Sequence, residues 1–198
     1  MKTMCLGMLL FVVITAIALP ASAQEVKKGK ISILANSGIP VGDFSSVTKP
    51  GIGGLIQITG SPAAAPELSL GGALGVMRFA GKDLNFSGEN VTASGLTVIP
   101  ILAMAQYTFP TDGNAKPYLQ MGLGLYHLRT TGSSFNGFGV APGGGVLIPI
   151  TPNRSWFRVE ATYHLVEASY TVSTLFDSAG GNVQFLNVLA GVSLAFGQ

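Results

Sequence analysis

Trp156-Phe157-Arg158-Val159-Glu160-Ala161-Thr162-Tyr163-His164-Leu165 alternates without a break. Phe157, Val159, Ala161, Tyr163 and Leu165 fall on one side of an extended chain. Arg158, Glu160, Thr162 and His164 fall on the other, because a β-strand sends successive side chains to opposite faces. The stretch is therefore a ribbon with one apolar face and one polar, partly charged face. A soluble sandwich strand reads the same way, so the other strands must say which face meets which solvent.

The composition narrows the choice. Charged residues are 10% of the chain and hydrophobic residues 47%, whereas an ordinary soluble domain is about 25% charged. That balance suggests a membrane protein. Yet no run after Ala23 reaches the roughly 18 to 20 apolar residues of a helical span, since Gly, Ser, Thr or Gln interrupts it every few positions. The other structure that satisfies all its backbone groups in lipid is a closed β-barrel.

The start of the chain reads as an export signal. Lys2 is its positive end, residues 6–19 its apolar stretch, and Ala21-Ser22-Ala23 its small-x-small cleavage site. The expected organisation is a signal peptide over 1–23, cleaved after Ala23, and one barrel domain over 24–198. Cys5 leaves with the signal, so disulfides, thiolate metal sites and cysteine nucleophiles are excluded from the mature chain. Losing Lys2 also brings the net charge close to neutral. No cluster of carboxylates or histidines has metal-ligand spacing. The glycine clusters complete neither the dinucleotide fingerprint nor the P-loop. No basic stripe points to nucleic acid. No metal and no cofactor are expected.

Alternation predicts eight strands, at 30–36, 51–60, 67–78, 95–109, 116–129, 137–150, from 156 onward, and 183–196. The sixth is the poorest, because Pro142 and Gly143-Gly144-Gly145 are weak strand formers; a bulge or sharp bend there would reconcile it. Connections over 37–50, 80–94 and 171–182 are long, whereas 61–66, 110–114 and 151–154 are short and carry proline. The connection over 130–136 is of moderate length. Long external loops, short periplasmic turns and both chain ends on the turn side are the pattern of an outer-membrane barrel.

The faces agree. Ile52, Ile56 and Ile58, then Leu70, Leu74 and Val76, then Leu119, Met121, Leu123 and Leu125 form large apolar faces with no charge through their middles. The opposite faces mix Gly, small residues, Gln, Thr, Tyr and a few charges. Exposed to water, that second surface would be poorly soluble. Turning the barrel so that Leu, Ile and Val meet lipid removes the problem, and a Lys or Arg at mid-membrane on that face would cost about 2 to 4 kcal/mol.

Three segments carry a family resemblance. They are Gly38-Ile39-Pro40-Val41-Gly42-Asp43-Phe44, the run from Tyr118 to Tyr126, and the run from Trp156 to Tyr163. With them the chain resembles the OmpA-like and OmpX-like eight-stranded outer-membrane barrels over essentially its whole mature length. The resemblance implies an all-β, antiparallel up-and-down transmembrane barrel in the bacterial outer membrane. It also implies that Gly191, Leu194 and Phe196 of the last strand are an assembly signal read by the barrel-assembly machinery. Here Gly197 and Gln198 follow the aromatic residue on which the family often ends. No peptidoglycan-binding domain is expected after the barrel.

Arg158, Glu160 and His164 share a strand face, with Gln120 and Glu67 expected across the lumen. They could be a proton relay, a gate or a catalytic group. The reading preferred here is a paired polar network filling a narrow interior, because buried charges need partners. A lipid A-modifying hydrolase would need His164 beside an acid and a serine, but Glu167 and Ser169 fall on the opposite face by parity. His127 and Arg129 lie on the lipid side near the external rim, either against lipopolysaccharide phosphates or as ordinary interfacial residues. The expected role is structural or interactive: envelope integrity, adhesion or partner binding through surface loops. Lipid, including lipopolysaccharide, is the expected surround, and the extracellular partner is unspecified. A narrow porin-like channel and a barrel enzyme are the alternatives.

Overall fold

The computed structural model describes residues 26–86, 89–168 and 181–197; the expected signal peptide and Ser169 lie outside them. In chain order the elements are β1 (Val26–Val41), α1 (Phe44–Val47), β2 (Thr48–Pro62), β3 (Leu68–Gly81), β4 (Asp83–Phe86), β5 (Glu89–Thr92), β6 (Leu96–Thr108), β7 (Lys116–Thr130), β8 (Ser133–Thr151), β9 (Ser155–Ala168) and β10 (Gly181–Phe196). Eight strands close into an antiparallel barrel in the order β1-β10-β9-β8-β7-β6-β3-β2, and β4 and β5 form a separate hairpin. Closure leaves the barrel without a free edge.

Register fixes the stagger. From Asn36, register partners lead through Gly53, Met77 and Val98 to Leu128 on β7. In the other direction they lead through Leu189, Glu160 and Gly145 to Tyr118 on the same strand. The two arrivals are ten residues apart, so the strands tilt steeply, by about 40° in barrels of this size.

The side chains sort as alternation predicts. Leu119, Val159 and Leu194 are 58%, 40% and 47% exposed, whereas Arg158 and Gln120 are 2% and 6% exposed. Leu123 also points outward and is half-exposed. The outer wall is a continuous apolar belt. Tyr107, Phe109, Phe157 and Phe196 cluster toward its periplasmic end, where such barrels carry an aromatic girdle.

Several boundaries depart from expectation, each for a local reason. β1 continues through Gly38 and Pro40 to Val41, because β2 holds it in register as far as Gly38 and β10 as far as Val41, and Gly38 leaves room for the Phe79 ring. The segment expected as a loop over 37–50 therefore shrinks to Gly42-Asp43 and α1, with Gly42 at positive φ. The loop over 80–94 contains the β4–β5 hairpin.

The moderate loop expected over 130–136 is only the two-residue turn Thr131-Gly132, with φ 88° at Gly132. That external connection is as tight as any periplasmic one. The expected segment 171–182 lies outside the described residues up to its last two, which begin β10.

The sixth barrel strand, β8, has no bulge at Pro142–Gly145. It keeps one register with β7 throughout, and the same register with β9 holds at Val140 and again from Gly143 to Pro149. Thr151-Pro152-Asn153-Arg154 closes its far end with Arg154 N–H donating to Thr151 O at 3.1 Å and Asn153 at φ 58°. Pro at the second position and Asn at the third suit a type II turn.

Candidate functional site

The interior has two storeys. Toward the periplasm it is polar. Arg158 Nε donates to Glu160 Oε2 at 2.6 Å, and its Nη2 donates to Gln120 Oε1 at 2.7 Å. Tyr118 donates to Glu160 Oε2 at 2.7 Å, and Gln120 Nε2 donates to Glu160 Oε1 at 3.0 Å. Gln120 Nε2 also lies 3.1 Å from Thr162 Oγ1. The Arg158 guanidinium sits 4.6 Å from the centre of the Tyr118 ring. Glu160 thus receives hydrogen bonds from three side chains, and a fully bonded ion pair of this kind offsets the desolvation that burial costs.

Why these groups can meet is visible in β8. It turns Gly137, Gly139, Ala141, Gly143 and Gly145 into the lumen. Tyr118, Gly145 and Glu160 share one register row, and Gln120, Gly143 and Thr162 share another. Side chains of β7 therefore lean across β8 to reach β9. A Cβ on Gly145 would collide with the Tyr118 hydroxyl and the Val159 carbonyl, and one on Gly143 with Thr162 Oγ1. The glycine run that weakened the strand prediction is an aisle for the network.

His164, expected in the same network, lies apart from it. Its Nδ1 is 2.8 Å from the Tyr126 hydroxyl and its Nε2 is 3.1 Å from Asn187 Nδ2. Its ring stacks on Phe185 at 4.5 Å and 8°. Both imidazole nitrogens are engaged. Glu167 is exposed on the opposite side of the wall, and among the described residues neither a serine hydroxyl nor a carboxylate contacts His164.

Glu67 is a correction. It lies in the turn before β3, not across the lumen from Arg158, Glu160 and His164, because the chain becomes extended only at Leu68. It lines a cleft of about 440 Å³ at the periplasmic mouth with Lys30, Lys116 and Trp156.

Toward the exterior the lumen is mainly apolar, with His164, Asn187 and Asn36 set among the apolar side chains, which corrects the expectation of a hydrophilic filling throughout. Leu34, Leu55, Met77, Phe79, Val98, Leu102, Tyr126, Ala141, Val166 and Phe185 belong to one connected buried cluster to which all eight strands contribute. Phe44 of α1 caps it, packing edge-on against Phe79 at 5.1 Å, and Phe79 meets Phe185 at 5.3 Å. Lys82 Nζ donates to Ser45 O at 2.6 Å and ties α1 down. Tyr118, Tyr126, Thr162, Asn187 and the β8 glycines were not singled out as site residues. Period-two parity places them inward, but only the stagger shows which of them meet.

An eight-stranded closed barrel with an apolar outer belt and a buried ion pair in its lumen is a bacterial outer-membrane β-barrel. The profile of the outer membrane protein beta-barrel domain matches residues 9–196, and the chain belongs to that family. Among solved structures it is similar to Neisserial surface protein A (NspA), at 18% identity and TM-score 0.60, covering 88% of this chain and 100% of that one. It is also similar to OprG from Pseudomonas aeruginosa, at 10% identity and TM-score 0.54, covering 89% and 99%. A third is Ail, the attachment invasion locus protein of Yersinia pestis, in complex with the heparin analogue sucrose octasulfate, at 15% identity and TM-score 0.51, covering 85% and 98%. A comparison with curated proteins found no match.

Proposed function

We propose that this protein is a non-conducting, non-enzymatic outer-membrane barrel that strengthens the envelope and presents its external segments to partners. The carrying observation is the connected apolar cluster spanning all eight strands, which fills the external half of the lumen above the Arg158–Glu160 network. An eight-stranded wall leaves an interior only just wide enough for side chains. Here the buried rings of Phe79, Tyr126 and Phe185 occupy that interior, which supports a closed lumen. Planar-bilayer recording of the purified protein should show no large, steady conductance step; such a step would revive the narrow-channel alternative and end this reading.

The surface-interaction part draws support from fold alone, through Ail, whose structure holds a polyanionic heparin analogue. For assembly, Gly191, Leu194 and Phe196 lie on β10, which closes the barrel against β1. Leu194 and Phe196 face outward, and Gly191 lets β10 approach Ile33 and Leu34 closely. We take them as the signal read by the assembly machinery. Phe196→Ala should lower the fraction reaching the outer membrane, and unchanged yield would remove that role. Mass spectrometry of the exported protein should find Gln24 at its N-terminus.

A further inference from the structure

We propose that the outer wall carries a binding site for the phosphate groups of an outer-leaflet glycolipid, built from Arg78 of β3 and Arg129 of β7 on either side of Thr97 of β6. Register sets them in one row: Arg78 opposite Thr97, Thr97 opposite Arg129, and Arg129 opposite Ser134. All four point away from the lumen, since Met77, Phe79, Leu96, Val98 and Leu128 beside them are buried inside it. Adjacent strands are about 4.8 Å apart, so the two arginine backbones stand roughly 10 Å apart. Two planar guanidiniums across that gap can grip one phosphate together or hold two separately.

The rows beneath give the depth. The next carries Ile99, His127 and Asn136, with His127 Nδ1 donating to Asn136 Oδ1 at 2.8 Å. The one after is Leu74, Ile101, Leu125 and Phe138, all apolar and exposed. The arginines therefore stand at the external margin of the belt, where lipid headgroups lie.

The β7–β8 hairpin rises beside them and completes an open cleft of about 700 Å³, lined by Thr130, Thr131 and Ser133 and, among the described residues, by no carboxylate. Among the described residues neither guanidinium has an ion-pair or hydrogen-bond partner, whereas Arg158 in the lumen is paired. Two like charges two strands apart repel, and an anion between them turns that repulsion into attraction. Separate snorkelling of each arginine toward water would explain the positions, but it predicts no dependence on phosphate.

The test is independent of the closed lumen. Full-length protein refolded in neutral detergent is titrated with lipopolysaccharide, with the same lipopolysaccharide stripped of its phosphates, and with inorganic phosphate alone. The variants are Arg78→Gln/Arg129→Gln, each single change, and Arg154→Gln at the opposite rim as a charge control. Wild type and Arg154→Gln should bind intact lipopolysaccharide alike. Each single change should weaken binding by about tenfold and the double change by more. Phosphate-free lipopolysaccharide should not distinguish wild type from the double variant.

Equal binding by the double variant, an equal loss in Arg154→Gln, or the same difference with phosphate-free lipid would overturn the site. Inorganic phosphate binding as tightly as lipopolysaccharide would overturn its assignment to lipid. Heat-modifiable gel mobility confirms folding of each variant, and the single changes decide the matter if the double variant does not fold.

Discussion

Glu160 holds three donors at once, so its removal strands a buried guanidinium. Arg158 and Glu160 side chains are 2% and 1% exposed, and leaving one such charge without its partner costs about 3 to 5 kcal/mol. Glu160→Ala should lower the urea-unfolding free energy in micelles by that order. Replacing both residues by leucine should cost distinctly less than the single change, because no charge is then left unpaired. A single variant as stable as wild type would show that water replaces the carboxylate. Gly145 tests the same network from below. A methyl there meets the Tyr118 hydroxyl and the Val159 carbonyl, and overpacking of this kind costs about 1 to 3 kcal/mol. Gly145→Ala should lose that much by the same measurement. Gly113→Ala, where nothing lies within 4 Å, should lose nothing.

At the scale of elements, the turns and the short helix do what the strands cannot. Asn153 occupies the left-handed region at φ 58°, a conformation that costs a residue with a Cβ about 1 to 2 kcal/mol and that asparagine and glycine tolerate best. Asn153→Gly should leave the midpoint of urea unfolding unchanged, and Asn153→Val should lower stability by about 1 kcal/mol or more. Equal stability of the two would mean that the turn re-forms in another type. On the opposite rim α1 is too short to be stable alone. It is held by Phe44 entering the apolar cluster and by Lys82 bonding Ser45.

For the molecule as a whole, the decisive property is the stacking of an apolar plug on a polar network inside one wall. Phe44, Phe79 and Phe185 form a chain of edge-packed rings across the plug. Phe79→Ala/Phe185→Ala removes two of them, and proteoliposomes of that variant should leak small ions faster than wild type, which should be silent. Equal leakage from both would place the barrier in the Arg158–Glu160 layer instead. The plug also makes the external half of the barrel the part packed like a soluble core, so a single barrel buries apolar surface on both sides of its wall.

Alternation, as in the ten residues from Trp156 to Leu165, determined the eight barrel strands and their two faces, and with the low charge and the alternating loop lengths it determined the barrel and its membrane. A period of two is local, and its consequences need no knowledge of neighbours. Parity likewise placed Arg158, Glu160, His164 and Gln120 inward and His127 and Arg129 outward. Which of these residues touch was decided by the tertiary structure, because contact across strands depends on the ten-residue stagger that closure imposes. That stagger set Gly145 between Tyr118 and Glu160, separated His164 from the ion pair, and lined Arg78 up with Arg129. Neither the run 143–145 nor the pair 78 and 129 carries that information in its own spacing.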